Sequence, residues 1–285
     1  MKSCIKLFLR RLTSGVVRVL LWVPGSRYIY QQIIDVAMDQ KLVVIYRTRR
    51  MTFAVPNLLN RYRISTFATK EPETLEWIDS IPEGSVLWDV GANIGLYSIY
   101  AAKAQNCQVY AFEPSVFNLE LLARNIFLND LQKQVTVVPI ALSDKMGTSL
   151  FKMSNTAWGG ALSTFGQDFD QHGVALKNIF EYRTLGMSMV DAVTLLGLPP
   201  PRFIKMDVDG IEHFILRGGG DVLDKVEGVL VEINDAFTAQ AEESTRHLRN
   251  AGLTLYRKCN LGVPSQYNQW WVRGHVIHDP IKVTQ

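Results

Sequence analysis

Five short apolar runs recur between residues 85 and 234: SVLWDV, QVYAFEP, VTVVPIAL, RFIKMDV and GVLVEIN. Each is rich in β-branched residues and apolar almost throughout, as a strand covered on both faces must be. Helical stretches separate them. PETLEWIDS precedes the first run, and 96–104 follows it. Ser115 is placed to cap a helix that carries Leu119, Leu122 and Ile126 on one side and stops near Asn129. Another helix spans 189–196, ahead of the break Pro199-Pro200-Pro201. A helix over 239–250 and strands near LTLYR and QWWVR complete the order, with Trp270 expected in the core and Trp271 on the surface. This alternation predicts one α/β domain: a mostly parallel, doubly wound sheet of seven strands with helices on both faces.

Charge divides the chain differently. Residues 1–70 hold 13 Lys/Arg and 2 Asp/Glu, and residues 71–285 hold 17 and 25. A basic extension (1–70) is therefore joined to an acidic body (71–285), and blocks of one sign point to a partner of the other. Ile5, Phe8, Leu12, Val16 and Val19 fall on one side of a helix, with Lys2, Lys6, Arg10 and Arg18 spread over the other, until Pro24-Gly25 stops the pattern. The longest uncharged run there, 19–26, is far short of the roughly 20 residues that span a bilayer. Arg10, Arg11 and Arg18 break any secretory h-region. A basic amphipathic helix over residues 1–34, peripheral on an anionic membrane, fits the pattern. The alternatives are a face packed on the body, a mitochondrial presequence or a nucleic-acid contact. Residues 41–67 suggest one or two short strands with a basic loop (Arg47, Arg49, Arg50), packed on the body. Cys4, Cys107 and Cys259 have neither metal-ligand nor disulfide spacing, which suits a reducing cytoplasm.

In open sheets of this kind ligands bind beyond the carboxyl ends of the strands, where the strand order switches. The strand tips here carry Asp89, Glu113, the 141–144 stretch, Asp207 and Glu232. After the first strand comes DVGANIG. Its D-x-G-x-x-x-G spacing lacks the first glycine pair of the dinucleotide fingerprint G-x-G-x-x-G, which lets the backbone approach a pyrophosphate. S-adenosylmethionine carries no phosphate. Asp89 matches its ammonium by charge, Gly91 and Gly95 let the backbone pass close, and Glu113 can accept from both ribose hydroxyls.

VLWDVGANIGLYS, VYAFEPSVFNLELLARNIFLN, ALSDKMG and FIKMDVDGIEHFILRGG, in that order, resemble the FkbM-type methyltransferases over roughly residues 75–235. The resemblance implies a Rossmann-like class I fold, S-adenosylmethionine as methyl donor and a hydroxyl acceptor, often on a sugar or polyketide. It implies a cofactor loop of Gly91, Asn93 and Gly95, ribose at Glu113, and Asp144 bordering the adenine. The chain departs from the family pattern at Asp209, where Glu is usual, and at Val190-Asp191, where Leu-Asp is usual.

Methyl transfer to an alcohol needs oxygen, carbon and sulfur in line and a base for the hydroxyl proton. Asp207, Glu212 and Glu232 are the candidates, with Asp207 first because a buried strand tip gives it no capping role. Such acids could instead hold a divalent cation that lowers the hydroxyl pKa. Asp209-x-x-Glu212 also reads as a capping box. His213 reads as packed or solvated, and His172 is unassigned. No Asn/Asp-Pro-Pro-aromatic signature follows the fourth strand, and an acidic rim repels a phosphate backbone, so nucleic acid is disfavoured and neutral polyols and sugars are favoured. The irregular stretch 152–188 is a candidate lid, with Trp158 stacking on a sugar. A nicotinamide dehydrogenase and a catalytically silent, membrane-associated scaffold are the rival readings.

Overall fold

In the computed structural model, which describes residues 2–274, two helices lead the chain, Lys2–Leu20 and Ser26–Met38. The side chains of Lys2, Ile5, Lys6 and Arg10 lie outside the described residues. Phe8, Leu12, Val16 and Val19 are exposed, as are Trp22, Ile29 and Ile33, and the second helix buries no residue. Among the described side chains of this arm, the body does not cover the apolar face.

Packing begins at residue 41. Strands β1 (Lys41–Tyr46) and β2 (Arg49–Ala54) form an antiparallel hairpin that turns at Arg47, the basic loop expected there. Helices Leu58–Ser65 and Phe67–Lys70 follow. Met51, Phe53, Ile64 and Phe67 are buried in one cluster with Trp77, Leu87, Ile99 and Val109. Residues 41–70, grouped with the extension on charge, thus share a core with the body.

The remaining strands are β3 (Val86–Val90), β4 (Gln108–Phe112), β5 (Val135–Val138), β6 (Ala141–Leu142), β7 (Gly147–Met153), β8 (Ser163–Phe165), β9 (Phe180–Met187), β10 (Phe203–Met206), β11 (Gly228–Asn234), β12 (Thr254–Asn260) and β13 (Gln266–Val272). Seven of them form one sheet in the order β12-β13-β11-β10-β3-β4-β5. The five from β11 to β5 are parallel, and β13 runs antiparallel to both β11 and β12. Alternation along each strand sorts side chains to two cores. Leu87, Val109 and Ala111 face the β1–β2 side, whereas Trp88, Val90, Ile204 and Met206 face the other.

Four local readings change. VTVVPIAL is not one strand: Ile140 follows a break, and β6 leaves for a second sheet ordered β6-β9-β7-β8. That sheet contains much of the stretch read as irregular, because its strands mix polar and apolar residues without clean alternation. Trp271 is buried like Trp270, because the two successive residues enter the cores on opposite faces of the sheet. Ser115 makes no side-chain cap; its amide instead donates to Glu113.

Candidate active site

From β3 the chain moves outward through β4 and β5, then returns to place β10 and β11 on β3's other side. The order therefore reverses between β3 and β10, and a crevice opens at their carboxyl ends. Register pairs Val90 with Met206, and the Asp207 N–H donates to Val90 O at 3.0 Å. The glycine loop and the tip of β10 are thereby in contact. A Cβ on Gly91 (φ +83°) would stand 2.0 Å from the Asp207 carbonyl oxygen. Gly95 (φ +83°) precedes helix Leu96–Gln105, and a Cβ there would meet Leu122 Cδ1 at 2.6 Å. Both glycines serve close approach of chain to chain, and that approach shapes the loop.

Between them, the Asn93 N–H donates to Glu113 Oε2 (2.8 Å) and its Nδ2 to Gly160 O (2.8 Å). The Ser115 N–H donates to Glu113 Oε1 (2.8 Å). These amides aim Glu113, 4 % exposed, at a cleft of about 710 Å³ that also meets Phe112, Leu142, Phe151, Phe165 and Asp209. Asn93 Oδ1 is buried without a hydrogen-bond partner among the described residues. An apolar wall, an aimed carboxylate and an unpaired amide oxygen fit a nucleoside with its ribose at Glu113.

Burial pushes Glu113 up to about 7, against the lowering effect of the Ser115 and Asn93 amides. Its ionised share therefore falls as pH drops through neutrality, and a carboxylate accepts from two hydroxyls better than a carboxyl does. Calorimetric affinity for S-adenosylhomocysteine is expected to weaken about fivefold from pH 8 to pH 6, and Glu113→Gln to be weaker but flat. A flat wild-type profile would remove Glu113 from the ribose site.

The other acids separate. Asp207 lines this cleft and also a second one of about 510 Å³, bounded by Phe67, Lys70, Glu71, Tyr97 and Lys205. Asp89 lines neither, being 1 % exposed. It lies under the loop, with Oδ2 accepting from Ser98 Oγ (2.6 Å) and Oδ1 3.5 Å from Lys205 Nζ. Its charge is paired with Lys205 beneath the loop, so the carboxylate read from the sequence as a match for a ligand ammonium faces neither cleft. Asp144 lies outside the cleft, 3.7 Å from an Arg217 nitrogen, and 140–142 form the apolar wall instead.

Glu212 is buried below the loop that follows β10. Its Oε1 accepts from the amides of Val208 (3.2 Å) and Gly210 (3.3 Å), and its Oε2 accepts from Gln240. Burial pushes it up to about 7. It is a structural acceptor and not a base facing the cleft. Asp209 completes no capping box; at φ +60° its side chain crosses to accept from the amides of Leu162 (2.7 Å) and Ser163 (3.3 Å). Glu232 lines neither cleft, and burial, reinforced by Asp207 and Glu212, drives it far above the usual carboxylate range. Raised in this way and facing neither cleft, it is not placed to take a proton from a guest there. No group of three His, Cys, Asp or Glu among the described residues is arranged to hold a metal ion. His213 is packed, at 4 % exposure, as read.

The candidate lid reaches the cleft through its backbone. Trp158 O accepts from Asn57 (3.0 Å) and Asn60 (2.9 Å), Gly159 O from Arg63 Nε (2.8 Å), and Gly160 O from Asn93 and Asn118. The Trp158 ring lines neither cleft.

Sequence reasoning missed Arg63, Glu71, Tyr97 and Lys205. Lys205 carried a signal: a lysine inside a strand buried on both faces needs an acid beside it. Parallel register sets it directly across from Asp89. Burial opposes its charge, but Asp89, Asp207 and Glu71 outweigh that and keep it protonated. The Tyr97 hydroxyl donates to Glu71 (3.0 Å), and its ring lies under the Lys205 ammonium.

The Methyltransferase FkbM domain family matches residues 89–258, more than half of the chain. Hexuronic acid methyltransferase AglP of Haloferax volcanii is 29% identical over 185 residues, which cover 64% of this chain and 70% of that one. Methyltransferase sdnD of Sordaria araneosa is 38% identical over 162 residues, covering 50% of this chain and 62% of that one. Among solved structures, Aeropyrum pernix fibrillarin with bound S-adenosyl-L-methionine superposes with a TM-score of 0.47 at 10% identity, covering 82% of this chain and 84% of that one. With a glycine loop, an aimed Glu113 and a match spanning the sheet from β3 to β12, the chain belongs to the FkbM methyltransferase family, a family of S-adenosylmethionine-dependent enzymes.

Proposed function

We propose that the protein transfers the methyl group to a hydroxyl of a sugar, glycan or glycolipid, with Asp207 as the group that positions the hydroxyl and takes its proton. The observation that carries this reading is the place of Asp207: with Arg63, Gly91 and Asn93 it lines both clefts, at the passage between them. The nucleoside side is the Glu113 cleft. The acceptor then enters from the side of Glu71, Tyr97 and Lys205, whose polar groups suit a hydroxyl-rich guest. S-adenosylmethionine, when bound, supplies an electrophilic methyl on a sulfonium leaving group. The chain supplies alignment and a proton acceptor. Lys205 Nζ, 3.7 Å from Asp207 Oδ2, holds that carboxylate toward the passage. The Haloferax relative is a hexuronic acid methyltransferase, which supports a carbohydrate acceptor.

Labelled S-adenosylmethionine supplied to a lysate is expected to mark a glycan or glycolipid fraction. On the acceptor recovered that way, Asp207→Asn should bind S-adenosylhomocysteine as the wild type does and turn over about 10²-fold or more slowly. Unchanged turnover would remove Asp207 from the chemistry. A wild type that binds the nucleoside but labels nothing would favour the scaffold reading.

For the arm we propose peripheral contact with an anionic membrane from the cytoplasmic side. Among the described residues no helix is long and apolar enough to cross a bilayer. Exposed Phe8, Leu12 and Trp22 beside Arg11 and Arg18 suit interfacial seating. The full chain should co-sediment with phosphatidylserine vesicles, weakly with neutral ones, and a chain lacking residues 1–34 with neither. Equal sedimentation of the two chains would exclude the arm as anchor. The truncated chain, 35–285, keeps the whole of the core that residues 41–70 share with the body.

A further inference from the structure

We propose that Arg63 anchors the carboxylate at the amino-acid end of the methyl donor, an inference that rests on the cofactor reading above. S-adenosylmethionine carries a carboxylate, and the clefts at this site are lined by Glu71, Glu113, Asp207 and Asp209. A carboxylate among these acids requires a cation. The walls offer three. Lys205 is held between Asp89 and Asp207, 3.5 and 3.7 Å away. Lys70 pairs with Glu71 at 2.5 Å. Arg63 donates only its Nε, to Gly159 O at 2.8 Å, and its two terminal nitrogens have no hydrogen-bond or ion-pair partner among the described residues. It lines both clefts with Gly91 and Asn93, the loop along which the donor's amino-acid end must lie if the ribose is at Glu113.

The guanidinium is also held in place. Its acceptor Gly159 is fixed by its own N–H to Asn118 Oδ1 (3.0 Å), and the neighbouring Trp158 carbonyl by Asn57 and Asn60. A Cβ on Gly159 (φ +78°) would stand 2.3 Å from Asn60 Oδ1, so the loop is pressed against the helix that bears Arg63. Pinning Nε leaves a planar pair of N–H groups free, the geometry that suits a carboxylate.

The test compares two nucleosides by calorimetry. S-adenosylhomocysteine has the carboxylate; 5′-methylthioadenosine lacks the amino-acid end. Arg63→Met is expected to weaken the first tenfold or more and leave the second within about twofold, with Arg63→Lys between. Unchanged affinity for S-adenosylhomocysteine overturns the proposal. So does equal weakening of both nucleosides, which would mean that Arg63 only supports the Gly159 loop. A wild type that binds neither nucleoside refutes the cofactor reading itself, a result separate from either outcome for Arg63.

Discussion

Gly91→Val is expected to abolish S-adenosylhomocysteine binding by calorimetry and to destabilise the protein by several kcal/mol in urea. Two effects add. The backbone there has φ +83°, which an L side chain resists by roughly 1–2 kcal/mol, and valine adds β-branching. The Cβ would also overlap the Asp207 carbonyl oxygen at 2.0 Å and crowd Val208 Cγ1 at 3.1 Å. Neither can yield easily, because the Asp207 amide is tied to Val90 and the strands beneath are in parallel register. Gly84 separates the two effects. It too has positive φ (+74°), yet a Cβ there meets nothing within 4 Å. Gly84→Ala should therefore show the conformational penalty alone, about 1–2 kcal/mol. Gly91→Ala should exceed it by the roughly 1–3 kcal/mol of overpacking and should impair binding. Equal losses for the two alanines would show that the approach of the loop to β10 is not as close as the structure has it.

Lys205→Met should be the most destabilising single change away from the glycine loop, at about 3–5 kcal/mol. Against a typical total of about 5–15 kcal/mol this is a large share. The reason is the group left behind. Asp89 is 1 % exposed, and without the ammonium its charge keeps only the Ser98 hydroxyl. Methionine fills similar volume, so the loss is electrostatic and not a cavity. Adding Asp89→Asn should recover much of the stability, since an amide can still accept from Ser98 and carries no charge. Urea denaturation of the two single variants and the double variant measures this coupling. A Lys205→Met variant within about 0.5 kcal/mol of wild type, the range of ordinary surface substitutions, would mean that Asp89 is not dependent on that lysine.

These two residues mark how far the one-dimensional reading reaches. Gly91 was legible because a glycine loop between an apolar strand and a helix is a local pattern, and Glu113 because it ends the next strand. Both depend on neighbours a few residues away. Lys205 was legible in principle and passed over, since its strand was read for the acid at its tip. Arg63 was not legible: nothing near it in the chain distinguishes it from the other basic residues before position 70. Glu212 and Glu232 show the converse. Each has the right residue type at the right distance from a strand end, yet Glu212 is turned into the protein by the Val208 and Gly210 amides and Gln240, and Glu232 lines neither cleft.

The order of strands and helices, the glycine loop and the family were settled by local periodicity and motif, because backbone sterics and side-chain alternation act within a few residues. Which acid faces the crevice was decided between segments far apart in the chain. Strand register set Lys205 against Asp89, Gln240 on the helix Thr238–Asn250 claimed Glu212, and the loop at Leu162 claimed Asp209. Asp207 was left in the passage with Arg63 beside it. The physical reason is that a buried charge must be answered by whatever the fold brings within a few ångströms, and a linear sequence holds no distances across space.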